Sequence, residues 1–476
     1  MMQTTSSTSG FKCILLRILS CVMVLVLTVL ALSGLSKITQ RKKDVNRYAA
    51  FFDHPGDMDV LFMGSSHMLN ATFPMDLWHD YGITSYNFGG HDNYLPATYW
   101  VMENALDYAD PEVVVIDCLR LECMEKMSEN QEYLHHSFDP FPFSLTKARA
   151  VTDLFRDPYT EFDGIEDRLE GYTGILFPYS VYHERWNEID EIDFTTLPSF
   201  EYGAESSVVV SEALPTIPND GARLTGETTG IRYLKRMIED CRKRGIEVLL
   251  VVMPFPVTDE NAWISVNTAQ DIADEYGVDF INFLDMDIVD FSTDCYDMDS
   301  HMNPSGAWKI TDYLGTWLKD RYGLTDHRGD EAYAAWDSDY GLYHEFKAIR
   351  LGETDDLNTY LMLLADRNYE YEMSIGDARI FEDPTTLDLL YNTGVDETVG
   401  AGTRFISTHG GNVTVSDSPD VPVTDGIIEI LVYEPARGDE LIDTARFAIP
   451  EGCPVINRFV VENGNVILYS SAQRLE

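Results

Sequence analysis

The chain is 476 residues long, 45% hydrophobic, and carries 80 Asp+Glu against 34 Lys+Arg, a formal charge of −46. A field of that sign repels phosphate backbones and excludes nucleic acid as a partner; otherwise it reads as a solvated surface that keeps the protein soluble. The length allows two or three domains, and the apolar content is enough for a sizeable core. Of seven cysteines, Cys13 and Cys21 fall in an N-terminal apolar run, and the odd, irregularly spaced remainder fits neither a disulfide framework nor a metal pair.

From Ile18 to Leu35 there is no charge, and Leu and Val dominate. At about 1.5 Å per residue this run spans about 27 Å, close to a bilayer core, with an insertion energy of roughly −5 kcal/mol. It predicts an uncleaved single-pass anchor within residues 1–37, followed by a polar, basic stalk over 38–56. Ala31-Leu32-Ser33 offers the competing reading of a cleaved signal peptide. Lys12 and Arg17 precede the run, whereas Lys37, Arg41, Lys42, Lys43 and Arg47 follow it. The positive-inside rule alone therefore leaves the large C-terminal part in the cytoplasm.

After the stalk, Val60–Met63 reads as a buried strand ending at Gly64. A short helix over 74–81 and a strand over 85–88 follow, then a helix over 94–108 and a strand over 113–116 closed by Asp117. A helix over 229–243 ends near Gly245, a strand covers 248–252, a helix covers 259–276, and a short strand lies at Phe280-Ile281. Asn303-Pro304-Ser305-Gly306 opens a last helix running to about Arg321. Apolar strands alternating with amphipathic helices predict an α/β domain over 57–328, with a parallel sheet flanked by helices. Residues 119–225, rich in Tyr, Phe, Pro and acids, read as a helical and loop insertion over the sheet's carboxyl edge, where such folds bind ligands. An acidic linker is expected at 329–356. A helix at 357–365 and alternating segments at 369–375, 403–407, 427–433 and 457–469 predict a small ancillary α+β or β-rich module over 357–476.

Two segments carry chemistry. Gly64-Ser65-Ser66-His67 puts serine on a tight turn after a buried strand, where free backbone N–H groups can hold a developing oxyanion. Far downstream, Asp297-Met298-Asp299-Ser300-His301 precedes the last helix, so a histidine on that loop can swing over the first strand's edge with an acid to orient it.

A strand–Gly-x-Ser start and an Asp-x-His loop before the last helix resemble the SGNH/GDSL hydrolase superfamily over about 55–325. That resemblance implies a flavodoxin-type three-layer sandwich, with Ser66 as nucleophile, His301 as base and Asp299 as orienting acid. Tyr86-Asn87-Phe88-Gly89-Gly90 looks like the family's second block, which implies an oxyanion hole from the N–H groups of Ser66 and Gly90, with Asn87 or Asn93 as a further donor. Two features depart from the pattern. The usual Asp-x-x-His spacing falls on Met298, leaving Asp299, as in alginate acetylation proteins, or Asp297, one residue too far. The third-block asparagine is missing from Val115-Ile116-Asp117-Cys118. His67, His91, Asp92 and Asn93 flank these blocks and are candidate substrate binders. No metal and no cofactor is implied, and His135-His136 has no spaced partner for a metal. His54, His79, His183, His327, His344 and His409 read as structural or surface residues.

The Gly-Ser-Ser-His start on a membrane-tethered chain resembles envelope acyl-handling members, the teichoic-acid D-alanylation protein and the alginate acetylation proteins. The implied function is a serine esterase or O-acyltransferase working through an acyl-serine. Its substrates would be an envelope polymer and an acyl donor, its partners the bilayer and a membrane-bound O-acyltransferase. The domain would then lie outside the cytoplasmic membrane, against the charge count. The alternative is a non-catalytic envelope scaffold that keeps the fold.

Overall fold

A computed structural model describes residues 7–40, 47–53, 58–195, 200–299, 301–396, 398–453 and 458–475. His54, the Arg41-Lys42-Lys43 cluster and Ser300 lie outside them.

The apolar run sits in one long helix, α1 (Ser7–Thr39). Its Lys12–Thr39 portion is long and apolar enough to cross a membrane, and its apolar side chains are exposed. Only its last turn enters the body, where Thr39 and Gln40 are buried.

Five strands form a wholly parallel sheet: β1 (Val60–Met63), β2 (Ser85–Asn87), β3 (Val113–Asp117), β4 (Glu247–Val252) and β5 (Asp279–Asn282), in the order β2-β1-β3-β4-β5. Every residue of β1, β2 and β3 is buried, which is why β1 and β3 read as unbroken apolar runs: both faces are covered. The order reverses at β1. Right-handed crossovers therefore send Pro74–Tyr81 to one face and Leu95–Ala105 to the other. The first packs against helix Pro304–Tyr322 and the second against helix Thr229–Arg244. A reversal of this kind opens a crevice at the carboxyl ends of the two strands beside it, here β1 and β3.

The local signals act as expected. Asn303 caps the last helix by accepting from the N–H groups of Ser305 and Gly306, with Pro304 at the first helical position. Gly245, at φ 76°, closes the helix before β4 in the left-handed conformation that glycine adopts without cost. The long β3–β4 crossover holds helices Gln131–Phe138, Leu145–Leu154, Ile165–Leu176 and Tyr179–Tyr182, then 3-10 turns at His183–Asn187 and Glu191–Phe194.

The C-terminal part has its own core, including Leu361, Met373, Ile430 and Phe447. It is built on a six-stranded antiparallel sheet: β6 (Glu370–Ile375), β7 (Phe405–Ser407), β8 (Thr414–Ser416), β9 (Ile428–Glu434), β10 (Glu440–Ala448) and β13 (Gln473–Arg474), ordered β13-β10-β9-β6-β7-β8. β11 (Arg458–Glu462) and β12 (Asn465–Tyr469) form a separate hairpin.

Several features differ from the sequence reading, among them β8, β13 and a helix at Pro384–Asn392, which it did not include. β10 was not anticipated, because its first half is largely exposed and only Ala445 and Phe447 are buried. The stretch read as linker contains a 19-residue helix, Ala334–Gly352, with Trp336, Tyr343, His344, Lys347 and Leu351 buried. Acids on its solvent side hid that inner face. Lys347 meets Asp76 at 3.4 Å and also pairs with Asp366, joining the helix before β2 to the helix–strand connection before β6.

Candidate functional site

The turn after β1 is built for close approach. A Cβ on Gly64 would lie 2.7 Å from the Cβ of Asp117 and 2.8 Å from that of Met68, so only glycine lets β1 run this near the end of β3. Ser65 caps the short helix Ser66–Ala71 by accepting from the His67 N–H (3.3 Å), and it donates to Asp117 Oδ2 (3.2 Å). With Ser65 committed to the turn, Ser66 stands at the first helical position. Its hydroxyl faces the β1–β3 crevice.

The histidine loop reaches it across 235 residues of chain. His301 Nε2 lies 2.8 Å from Ser66 Oγ. On the far side, His301 Nδ1 lies 2.7 Å from Asp297 Oδ2, and Asp297 Oδ1 accepts the His301 backbone N–H at 3.0 Å. The loop is held from several sides. The Tyr296 N–H donates to the His301 carbonyl, and the Tyr296 ring stacks on the imidazole at 5.6 Å. Cys295 bridges Met302, and buried Asp294 accepts from Ser305 Oγ at 2.7 Å and Lys309 Nζ at 2.6 Å. Burial pushes the Asp297 carboxyl up. The His301 hydrogen bonds and the ring's charge outweigh that and hold it below the ordinary carboxylate value.

The expected acid is corrected. The acid bonded to His301 is Asp297, not Asp299. The His301 N–H donates to Asp297 Oδ1, which leaves the second carboxylate oxygen facing the ring's Nδ1. Asp299 meets the site through its backbone carbonyl, 3.4 Å from His67 Nε2.

Two oxyanion donors are also corrected. The Gly90 N–H donates to the Gly64 carbonyl at 3.1 Å, and the Gly89 N–H donates to Asn87 Oδ1 at 2.8 Å. Asn87 is fully buried, and its Nδ2 bonds to the Met68 and Thr72 carbonyls, tying the end of β2 to the helix at Ser66. Neither Gly90 nor Asn87 presents a free donor. The Ser66 N–H, in the first turn of its helix, has no intrahelical partner. Asn93 supplies a second candidate: its buried Nδ2 has no hydrogen-bond partner and lies against Gly90, where a Cβ would come within 2.2 Å of it. Its Oδ1 accepts from Ser137 Oγ at 3.1 Å, which fixes the amide's orientation.

Of the other candidates, His67 adjoins His301 directly. The His67 ring lies 4.5 Å from that of His301; burial first, and the neighbouring imidazole second, push its pKa down to about 3. It is a neutral ring at physiological pH. With Nε2 directed at a carbonyl, its buried Nδ1 is left as an unpaired acceptor. His91 pairs with Glu205 at 3.2 Å, and Asp92 with Arg120 at 2.9 Å.

Arg120 was missed by the sequence reading, although it is the first base after β3 at the carboxyl edge. Both members of its ion pair sit at positive φ, 63° for Arg120 and 49° for Asp92, a conformation uncommon for side chains other than glycine. The guanidinium also lies over the Tyr94 ring at 4.9 Å and helps depress His67. In a chain this acidic it is a local cation within electrostatic reach of His67.

His135 is an internal partner of Asp139, at 2.9 Å. Among the described residues, the group whose donor atoms could gather around a cation is Glu370, His409 and Asp439 in the C-terminal sheet. Its imidazole lies flat on Tyr433 at 4.1 Å between two carboxylates. No protein-family profile matches this sequence, and no curated protein matches it.

A serine-directed fluorophosphonate should label Ser66. Asp297→Asn is expected to slow labelling by about 10³–10⁴-fold, because the ring loses its orienting acid. Asp299→Asn should change it less than about threefold, and equal effects would return the acid to Asp299. A second test concerns Asp117, which burial pushes up to about 6. The unfolded carboxyl loses its proton near pH 4 and the folded one only near 6, so stability should fall as pH rises through that window and level off above it. Urea midpoints of the wild type, relative to Asp117→Asn, should drop between pH 4 and 7 by the equivalent of roughly 1–3 kcal/mol.

Proposed function

We propose that this chain is a membrane-anchored SGNH-type serine esterase or O-acyltransferase acting on an acyl ester of a cell-envelope polysaccharide or related polymer. The observation that carries the reading is the continuous line Asp297–His301–Ser66, with bonds of 2.7 and 2.8 Å, at the strand-order reversal of a parallel sheet. Ser66 Oγ attacks the acyl carbonyl while its proton passes to His301 Nε2, and Asp297 stabilises the imidazolium. In this reading the Ser66 N–H and the unpaired Asn93 Nδ2 receive the carbonyl oxygen. As the tetrahedral intermediate collapses, the alkoxide leaves with the proton from His301, and the acyl group stays on Ser66. Water, or a hydroxyl of a second polymer, then attacks that ester, giving up its proton to His301 and restoring the serine. Neutral His67, with an acceptor nitrogen in the same crevice, is suited to orienting that second hydroxyl. Arg120 is suited to an anionic group on the substrate.

The alternative, a scaffold without turnover, draws support from the engaged Gly89 and Gly90 N–H groups. A missing oxyanion donor costs about 3 kcal/mol of transition-state stabilisation, so an enzyme that lacks the glycine donors should show modest activity. The test is release of acid from an activated aryl acetate and from an O-acetylated polysaccharide, using the full-length protein in detergent. Wild type should turn over both, Ser66→Ala neither, and Asn93→Ala about 10²-fold less than wild type. Wild type and Ser66→Ala behaving alike would establish the scaffold.

A further inference from the structure

The β3–β4 crossover carries a set of large side chains that its own packing does not use. Trp186 is 73% exposed, Phe194 67%, Phe143 66% and Phe177 56%, with Leu145 and Ile192 also open. Single exposed apolar residues need no explanation, but a contiguous group does. Phe143 stacks on Phe177 at 6.1 Å. Trp186, Ile192 and Phe194 come from the two 3-10 turns, and both turns pack against α1, as does the short helix Tyr179–Tyr182 between them and Phe177. Trp186, Ile192 and Phe194 therefore lie on elements beside the point where α1 enters the body, and the Phe143–Phe177 stack continues the group from the adjoining helix.

That junction is fixed by hydrogen bonds. Arg185, beside Trp186, donates to the carbonyls of Thr39 (2.6 Å) and Gln40 (2.9 Å), capping the last turn of α1 from the crossover. Gln40 in turn donates to the Asp139 carbonyl at 3.3 Å. The apolar run of α1 ends at Leu35, four residues and about 6 Å of helix before Thr39. If α1 crosses a bilayer, these aromatics lie at the depth of the headgroup layer, which extends roughly 5–8 Å beyond the hydrocarbon on each side. Trp and other amphipathic aromatics favour that layer.

We propose that Phe143, Leu145, Phe177, Trp186, Ile192 and Phe194 form a membrane-docking surface that seats the body on the bilayer α1 crosses. The proposal rests on the reading of α1 as a membrane span. The partner is a zwitterionic lipid surface, because the acids Glu184, Glu188, Asp190 and Glu191 adjoin the aromatics in sequence and offset the bases Lys37, Arg41, Lys42 and Lys43 that follow the span. Docking has a consequence for the candidate site. Gln40 and Arg47 are separated by seven Cα–Cα steps, at most about 27 Å. Arg47 donates to the carbonyls of Gly89 and Gly203, and Gly89 lies at the edge that holds Ser66. The edge that holds Ser66 is thereby tethered to the end of α1 through at most that length of chain, within reach of a lipid-linked or membrane-delivered acyl donor.

Tryptophan quenching tests this directly, because α1 contains no Trp and all seven in the chain report on the body. Full-length protein is reconstituted in phosphatidylcholine vesicles with or without lipid brominated high on its acyl chains. Wild-type emission should be partly quenched by the brominated lipid, and Trp186→Phe should lose most of that quenching. Phe177→Glu/Phe194→Glu should lose it as well while remaining in the vesicles through an alkaline carbonate wash. Release of wild type by carbonate would overturn the span itself. Retention with equal quenching in wild type and Trp186→Phe would overturn the docking surface alone. Burial of Trp186 that depends on protein concentration and not on bromine would assign the patch to a second copy of the chain.

Discussion

Everything at the candidate site depends on the reversal of strand order at β1. Because β2 and β3 flank β1 on opposite sides, their crossovers leave in opposite directions and the carboxyl ends of β1 and β3 stay uncovered. Gly64 lets the two strands end almost in contact, and Ser65 is bonded to Asp117 across that gap. The next residue, Ser66, then meets His301 Nε2 at 2.8 Å. The constraint has a cost: it buries Asp117 and raises its pKa.

The second half of the device arrives from the end of the α/β domain and is buttressed by the C-terminal sheet. Asp294 anchors the histidine loop, and Asn392, in the C-terminal helix Pro384–Asn392, reaches the Asp294 carboxylate at 3.2 Å. Asn465, in the β11–β12 hairpin, accepts the Met298 N–H at 3.2 Å. The C-terminal part thus touches both the base and the middle of the loop that carries Asp297 and His301. Lys347, between Asp76 and Asp366, adds a charged tie between the two cores.

Much of the fold was legible in the sequence because buried parallel strands leave unbroken apolar runs, and Gly245 and Asn303 mark helix ends whatever their context. The site was less evenly legible. Ser66 and His301 could be named because a Gly-Ser turn and a histidine before the last helix each have a local signature. Asp297 was passed over because spacing was counted along the chain, whereas the bond from the His301 N–H to Asp297 sets which carboxylate meets the ring. Gly90 and Asn87 were chosen as donors from their place in a motif. Their hydrogen bonds are spent on Gly64, Met68 and Thr72, contacts that no local pattern encodes. Asn93 was among the sequence candidates, and its unpaired amide singles it out from Asn87; Arg120 became notable only through its ion pair at positive φ, a property of the assembled edge.

The central claim is that Ser66 carries the acyl group between donor and acceptor. Its most direct measurement is rapid acid quench of the full-length protein during turnover of an activated aryl ester, followed by peptide mass analysis. The expected result is an added acyl mass on the peptide containing Ser66, formed at the rate of aryl alcohol release and absent in His301→Ala. Turnover with no adduct on that peptide, or with the acyl group on another residue such as Cys123, would contradict the account.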